Sequence, residues 1–206
     1  MIYLTGHRAS GKTSVGRLLE SQGFWFFDIG PFWRSLSQTH SPKTKPEDYI
    51  AQMRKLTDDP EWEHNFLAKT LESDYRSDNR EKTDLVISGF RSLDDIRKIQ
   101  HKLEGIISPD QKHSVIYLDC PFDIAWARYQ QRDGASASHQ KFLDQYDYEA
   151  TWGIDEVRRS ADFVIDNSGR ASDLVDTIDR IVYGELHYPR RENGYFETGP
   201  GAKEIF

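Results

Sequence analysis

The sequence predicts an α/β fold in three layers, with helices covering both faces of a parallel β-sheet, and three observations carry that prediction. Short apolar runs recur along the 206 residues with amphipathic stretches between them, the alternation that builds a parallel sheet covered on both faces. Two of those runs, Leu85-Val86-Ile87-Ser88 and Val115-Ile116-Tyr117-Leu118, are almost continuously apolar, as doubly buried strands are. A glycine-rich turn separates the first apolar run from the first helical pattern.

Taken in order, Ile2-Tyr3-Leu4-Thr5 is the first strand, and Val15, Leu18 and Leu19 mark the helix that follows and that Gly23 ends. Phe24-Trp25-Phe26-Phe27 reads as a second buried strand with Asp28 at its C-terminal end. A long connection follows, broken by Ser41-Pro42-Lys43-Thr44-Lys45-Pro46, with helices expected from Glu47 to Leu56 and from Glu61 to Tyr75. After the strand Leu85 to Phe90, Ser92 is the N-cap of another helix, with Asp95 three residues on. Val115 to Leu118 is the next strand, and a helix runs from Phe122 to Arg132. The small polar stretch Asp133 to Ser138 suits a mobile connection. Gln140 to Arg159 is expected to be helical, Phe163-Val164-Ile165 to be the last strand and Ala171 to Tyr183 the last helix.

Composition removes several classes of function. A net charge of −7 repels phosphate on average and argues against a DNA-coating or membrane-surface protein. The single cysteine, Cys120, allows no intrachain disulfide and no multi-cysteine zinc site. The seven histidines show no metal-ligand spacing. No apolar run is long enough to span a membrane, and the first residues lack a signal-peptide layout. The expectation is a soluble cytoplasmic protein.

Gly6-His7-Arg8-Ala9-Ser10-Gly11-Lys12-Thr13 fits G-x-x-x-x-G-K-[ST], the P-loop (Walker A) pattern, without a mismatch. Glycines let the backbone turn its N–H groups inward, and the helix N-terminus adds positive partial charge. Lys12 then reaches the β- and γ-phosphates of ATP, and the Thr13 hydroxyl is the candidate Mg²⁺ ligand. Ser14 completes the nucleotide-binding set. The fold class sharpens to a three-layer α/β/α P-loop NTPase fold with a helical lid insertion. No Asn-Lys-x-Asp element marks a GTPase, and the chain is short for a motor, helicase or transporter ATPase.

On this motif and the ones that follow, the chain resembles the P-loop nucleoside-monophosphate kinase superfamily, in particular phage-type deoxynucleoside-monophosphate kinases and dephospho-CoA kinases. Phe27-Asp28-Ile29-Gly30 stands where such kinases place an acidic residue after strand two. The resemblance implies that Asp28 orients or deprotonates the acceptor hydroxyl, or supports Mg²⁺ through water; a plain helix N-cap before Pro31 is the alternative. Val86-Ile87-Ser88-Gly89-Phe90-Arg91-Ser92 is similar to the "DGxRS" strand end, which implies that Arg91 binds a substrate phosphate, against a surface ion pair. Ser88 departs from the acidic residue many relatives carry there. Arg128 and Arg132 share one helical face in a region that supplies arginines to the transferred phosphate, with Arg158 and Arg159 at the far end of the same insertion. Ala161 to Gly169 resembles the "ADxVIxNxG" end of dephospho-CoA kinases, which implies that Asn167 and Gly169 border the adenine of ATP.

This gives a kinase domain over 1–183, with 31–84 as the acceptor-binding helical region and 128–159 as the lid, and an irregular tail over 184–206. Phe32 and Trp33, just past Asp28, are candidates for stacking an acceptor base, whereas Phe24 to Phe27 read as sheet core. The tail's Tyr188, Tyr195, Phe196 and Phe206 are expected to dock on the body or on a second subunit, a homodimer being one arrangement. The function implied is an ATP- and Mg²⁺-dependent phosphotransferase in deoxynucleotide metabolism. Its first acceptor is a small-molecule nucleotide, a deoxynucleoside monophosphate. Dephospho-CoA and a hydroxymethylated pyrimidine, free or as a DNA acceptor, are alternatives, and an ATP-binding regulator without catalysis is the alternative from another class.

Overall fold

The computed structural model describes residues 1–77, 84–104, 106 and 112–190. Five strands form one sheet in the order β2-β3-β1-β4-β5: β1 (Ile2–Thr5), β2 (Trp25–Asp28), β3 (Leu85–Ser88), β4 (Ser114–Asp119) and β5 (Phe163–Asp166). Every pairing is parallel, with Leu4 opposite both Ser88 and Ile116, Asp28 opposite Ser88, and Asp119 opposite Asp166. All the strand C-termini therefore reach one edge, where open α/β sheets bind their ligands.

The helices α1 (Lys12–Ser21), α2 (Ile29–His40), α3 (Pro46–Thr57), α4 (Trp62–Ser77) and α5 (Leu93–Leu103) cover the first half of the chain. The second half carries α6 (Phe122–Asp133), α7 (His139–Thr151), α8 (Ile154–Ser160) and α9 (Ala171–Asp179). Alternate residues of the strands feed two cores, as the pleat requires. Tyr3, Leu85, Ile87 and Tyr117 pack with α2, α4, α5 and α8, while Ile2, Leu4, Val86, Ile116 and Leu118 pack with α1 and α9. A smaller cluster, Cys120, Ala125, Tyr129 and Phe142, joins α6 to α7.

Several expectations change in detail. The stretch expected to be one helix from Gln140 to Arg159 is two, because Gly153 takes a left-handed φ of 95° and breaks the chain between α7 and α8. The last helix ends as α-helix at Asp179 and continues as a π-helical turn over Arg180–Glu185. The Asp133 to Ser138 connection contains one 3₁₀ turn, Gly134–Ser136. A whole helix, α2, begins directly after Asp28, whose side chain caps it by accepting from the Gly30 N–H at 3.2 Å. Ser92 caps α5 as expected, accepting from the Asp95 N–H at 3.1 Å. Trp33 is core and not an exposed stacking face: 8% exposed, it packs its ring 4.8 Å from Phe32 and 5.9 Å from Trp62. Of the tail, 191–206, with Tyr195, Phe196 and Phe206, lie outside the described residues; Tyr188 packs edge-on to Phe24 at 5.3 Å.

Helix α1 lies against β2 at Gly16, where an added Cβ would stand 2.1 Å from the Phe26 ring. Gly16→Val is expected to lower stability by about 1–3 kcal/mol through overpacking, read as a fall in the urea midpoint with an unchanged slope.

Candidate active site

The loop between β1 and α1 sits at the C-terminal edge of the central strand. Gly6 (φ 137°) and Gly11 (φ 97°) adopt backbone conformations that side chains disfavour, and Ala9 joins them at φ 59°. There is also no space for a side chain: a Cβ on Gly6 would meet the Leu118 carbonyl oxygen at 2.5 Å, and one on Gly11 would meet Asn167 Nδ2 at 2.5 Å. Asn167, buried after β5, donates its side-chain N–H to the Ser10 carbonyl at 2.7 Å and its backbone N–H to the Asp119 carbonyl at 2.7 Å. It therefore ties the loop to the ends of β4 and β5. Gly169 is exposed two residues further on.

Lys12 curls over the loop, donating to the Gly6 and His7 carbonyls at 2.7 Å each. Burial pushes its ammonium down to about 8; Glu149 and Asp28 oppose that shift, and Arg91 and Arg8 add to it. Thr13 Oγ1 donates to Asp28 Oδ2 at 3.0 Å. Asp28 is therefore the helix N-cap that was the alternative for it, one oxygen capping α2, while its other oxygen accepts from Thr13 at the loop. Ser88, its neighbour across β2 and β3, follows Val86 by two residues and so faces the α1 side of the sheet. Its Oγ is buried and without a hydrogen-bond partner among the described residues. This corner of oxygen donors, Thr13 Oγ1, Asp28 and the orphaned Ser88 hydroxyl, fits Mg²⁺, which takes oxygen ligands, few of them carboxylates, together with phosphates.

The largest surprise is Glu149 of α7, 4% exposed and against the loop. Its Oε2 accepts from the Arg8 backbone N–H at 2.8 Å, with His7 Nδ1 3.5 Å away. Its Oε1 accepts from Arg91 Nε at 3.0 Å and Nη2 at 2.9 Å. Burial alone would raise this carboxyl, but His7, Arg91, Lys12 and the Arg8 N–H outweigh burial and hold it down at about 2. Tyr146, from the same helix, stacks on the His7 ring at 3.9 Å. Arg91 lies as expected just past β3 and faces the loop, but its partner here is an internal carboxylate.

The other arginines divide. Arg8 and Arg132 flank the Tyr129 ring, their guanidinium carbons 5.8 and 5.2 Å from its centroid, and Arg132 also donates to Asp133 at 2.6 Å. Arg128 donates to Cys120 Sγ at 3.4 Å, at the end of β4. Arg158 pairs with Asp119 at 2.6 Å, and Arg159 is exposed on α8. Ser14, the residue after Thr13, lies half-buried in the first turn of α1. Sequence reasoning missed Glu149, Tyr146 and Tyr129. No spacing rule separates Glu149 from the neighbouring acids Asp144 and Asp147, because only the packing of α7 on the loop does so.

The five-stranded parallel sheet, its helical layers and the loop after β1 define the class: the chain has the three-layer α/β/α P-loop kinase fold. No family model matches it. It is 29% identical over 197 residues to a dephospho-CoA kinase of Parasynechococcus marenigrum (strain WH8102), an alignment covering 87% of this chain and 93% of that one. It is 21% identical over 184 residues to a UPF0200/UPF0201 protein of Archaeoglobus fulgidus, covering 88% of this chain but 54% of the relative, so it spans about half that protein's length. Among solved structures it resembles the shikimate kinase of Acinetobacter baumannii in complex with shikimate (TM-score 0.54, 19% identity, 89% and 93% covered). It also resembles TT1252 of Thermus thermophilus (TM-score 0.53, 22% identity, 90% and 96% covered).

Two outcomes follow from the charges. An anion on the loop raises the Lys12 pKa, so triphosphate binding is expected to take up a proton at and above pH 8 and to weaken as pH rises through 8. Calorimetry in two buffers of different ionisation enthalpy reads this uptake, and Lys12→Arg should abolish it. Glu149 is depressed from 4.5 to about 2, so its contribution to stability is complete above pH 4.5 and is lost as pH falls toward 2. Glu149→Gln should flatten acid unfolding in that window by on the order of 3 kcal/mol.

Proposed function

We propose that this protein is an ATP- and Mg²⁺-dependent phosphotransferase that passes the γ-phosphoryl group to the hydroxyl or phosphate of a small-molecule acceptor. The observation that carries this reading is the convergence at one sheet edge of the Lys12 loop, Asp28 against Thr13, and Arg91 from the next strand. That is a donor cradle, an acceptor-side carboxylate and a cation for transferred charge. The 29% identical dephospho-CoA kinase, matched over 93% of its length, supports the kinase reading.

On this reading the loop N–H groups and Lys12 hold the phosphates of ATP, with Lys12 exchanging its loop carbonyls for phosphate oxygens. Asp28 turns from Thr13 to the acceptor and orients the attacking oxygen. Arg91, with Arg132 and Arg128 from α6, neutralises charge on the group in flight. Thr13, with Asp28 and Ser88 beside it, would hold Mg²⁺, which when bound would supply positive charge to offset that of the phosphates. Helices α6 to α8 act as the lid that excludes water. The first acceptor is a deoxynucleoside monophosphate; dephospho-CoA is the second, favoured by the named relative.

ADP formation against a panel of deoxynucleoside monophosphates, hydroxymethylated analogues and dephospho-CoA tests this. One acceptor should stimulate turnover strongly, Lys12→Ala should lower it at least about 100-fold, and Asp28→Asn should reduce kcat by more than it weakens ATP binding. A flat panel with tight ATP binding would replace this reading with a nucleotide-binding regulator.

A further inference from the structure

The last turn of α7 carries apolar surface that phosphate chemistry does not use. Trp152 is 40% exposed and Tyr148, one turn earlier, 48%, with their rings 4.9 Å apart at 62°. Burying an indole is favourable, so one left open beside a ligand crevice points to a ligand that covers it. The place is fixed. Trp152 is the C-cap of α7, its N–H donates to the Glu149 carbonyl at 3.2 Å, and Gly153 turns the chain sharply after it.

The indole is also coupled to the phosphate loop. The Arg91 guanidinium carbon lies 5.3 Å over the Trp152 ring, a cation–π distance. The same guanidinium holds Glu149, which accepts from the Arg8 N–H of the loop. Sheet order then decides which ligand this surface serves. Arg91 follows β3, on one side of β1; Asn167, Cys120 and Arg128 lie at the ends of β4 and β5, on the other. A nucleotide whose phosphates lie on the loop and whose base points to the β4–β5 side leaves the Arg91 and Trp152 side for the second substrate.

We propose that Trp152 is a specificity-determining residue for the acceptor: its indole stacks a planar heteroaromatic ring of an acceptor whose anionic group lies on Arg91. The inference rests on the phosphotransferase reading and narrows its acceptors to anionic molecules bearing a base-like ring. Glu149 keeps Arg91 over the indole until the acceptor's anion takes its place. Sugar phosphates without a base bind Arg91 alone.

The test is a fluorescence and calorimetric titration of the full chain, as wild type, Trp152→Phe and Trp152→Ala. The probes are deoxyadenosine and thymidine monophosphates, dephospho-CoA, 2-deoxyribose 5-phosphate as the base-free control, and ATP. Base-bearing acceptors should quench the exposed tryptophan. Trp152→Ala should weaken their binding about tenfold, and Trp152→Phe should keep most of it. The Kd of 2-deoxyribose 5-phosphate and that of ATP should be the same in all three proteins. Unchanged binding of base-bearing probes to Trp152→Ala overturns the inference and leaves the phosphotransferase reading intact. Equal weakening of every probe, ATP included, overturns it in favour of a structural role. If wild type binds ATP but no base-bearing probe, the inference fails together with the nucleotide-acceptor reading.

Discussion

The site depends first on how tightly the loop from Gly6 to Thr13 is held between the ends of three strands. Gly6 has the Leu118 carbonyl oxygen within 2.5 Å of where a Cβ would be, and Gly11 has the Asn167 amide equally close. The Asn167 side chain and backbone then hydrogen-bond Ser10 and Asp119. The loop's curl is therefore imposed from outside as well as by its own glycines. The clasp leaves the loop little freedom to unfold from its curl, with the Ser10 N–H turned back to the His7 carbonyl and the Arg8 N–H held by Glu149.

Charge is balanced over the same few ångströms. Lys12, Arg8 and Arg91 bring three cations to the loop, and burial lowers the ammonium and the Arg8 guanidinium. Glu149 and Asp28 supply the compensating carboxylates. A buried charge without a partner is costly, so this cluster of cations needs an internal anion. Glu149 fills that need from α7, so the packing of that helix on the loop and the charge balance around Lys12, Arg8 and Arg91 form one arrangement. The Arg8 N–H and the Arg91 guanidinium, the donors that Glu149 occupies, are also the groups the proposed phosphotransferase would turn toward phosphate.

Strand order sorts the remaining parts. With β1 central, β3 and β2 deliver Arg91, Ser88 and Asp28 to one side of the loop, while β4 and β5 deliver Cys120 and Asn167 to the other. The segment from α6 to α8 touches both sides of the loop: Arg128 meets Cys120 and Arg91 meets Trp152.

The sequence by itself determined the sheet, the loop and most of the named donors, because these are local properties. A continuous apolar run specifies a doubly buried strand, and the spacing of Gly6, Gly11, Lys12 and Thr13 specifies a tight loop between a strand and a helix. Asp28 and Arg91 were legible for the same reason, each standing at the C-terminal end of a readable strand. Only the tertiary structure decided that Asn167 clasps the loop, that Trp33 is core and Trp152 is open, that Arg128 and Arg132 part company, and that Glu149 is the acid which enters the site. Those outcomes depend on where helices joined by loops come to rest, and a left-handed turn at Gly153 or the packing of Tyr146 on His7 leaves no periodic trace in the chain.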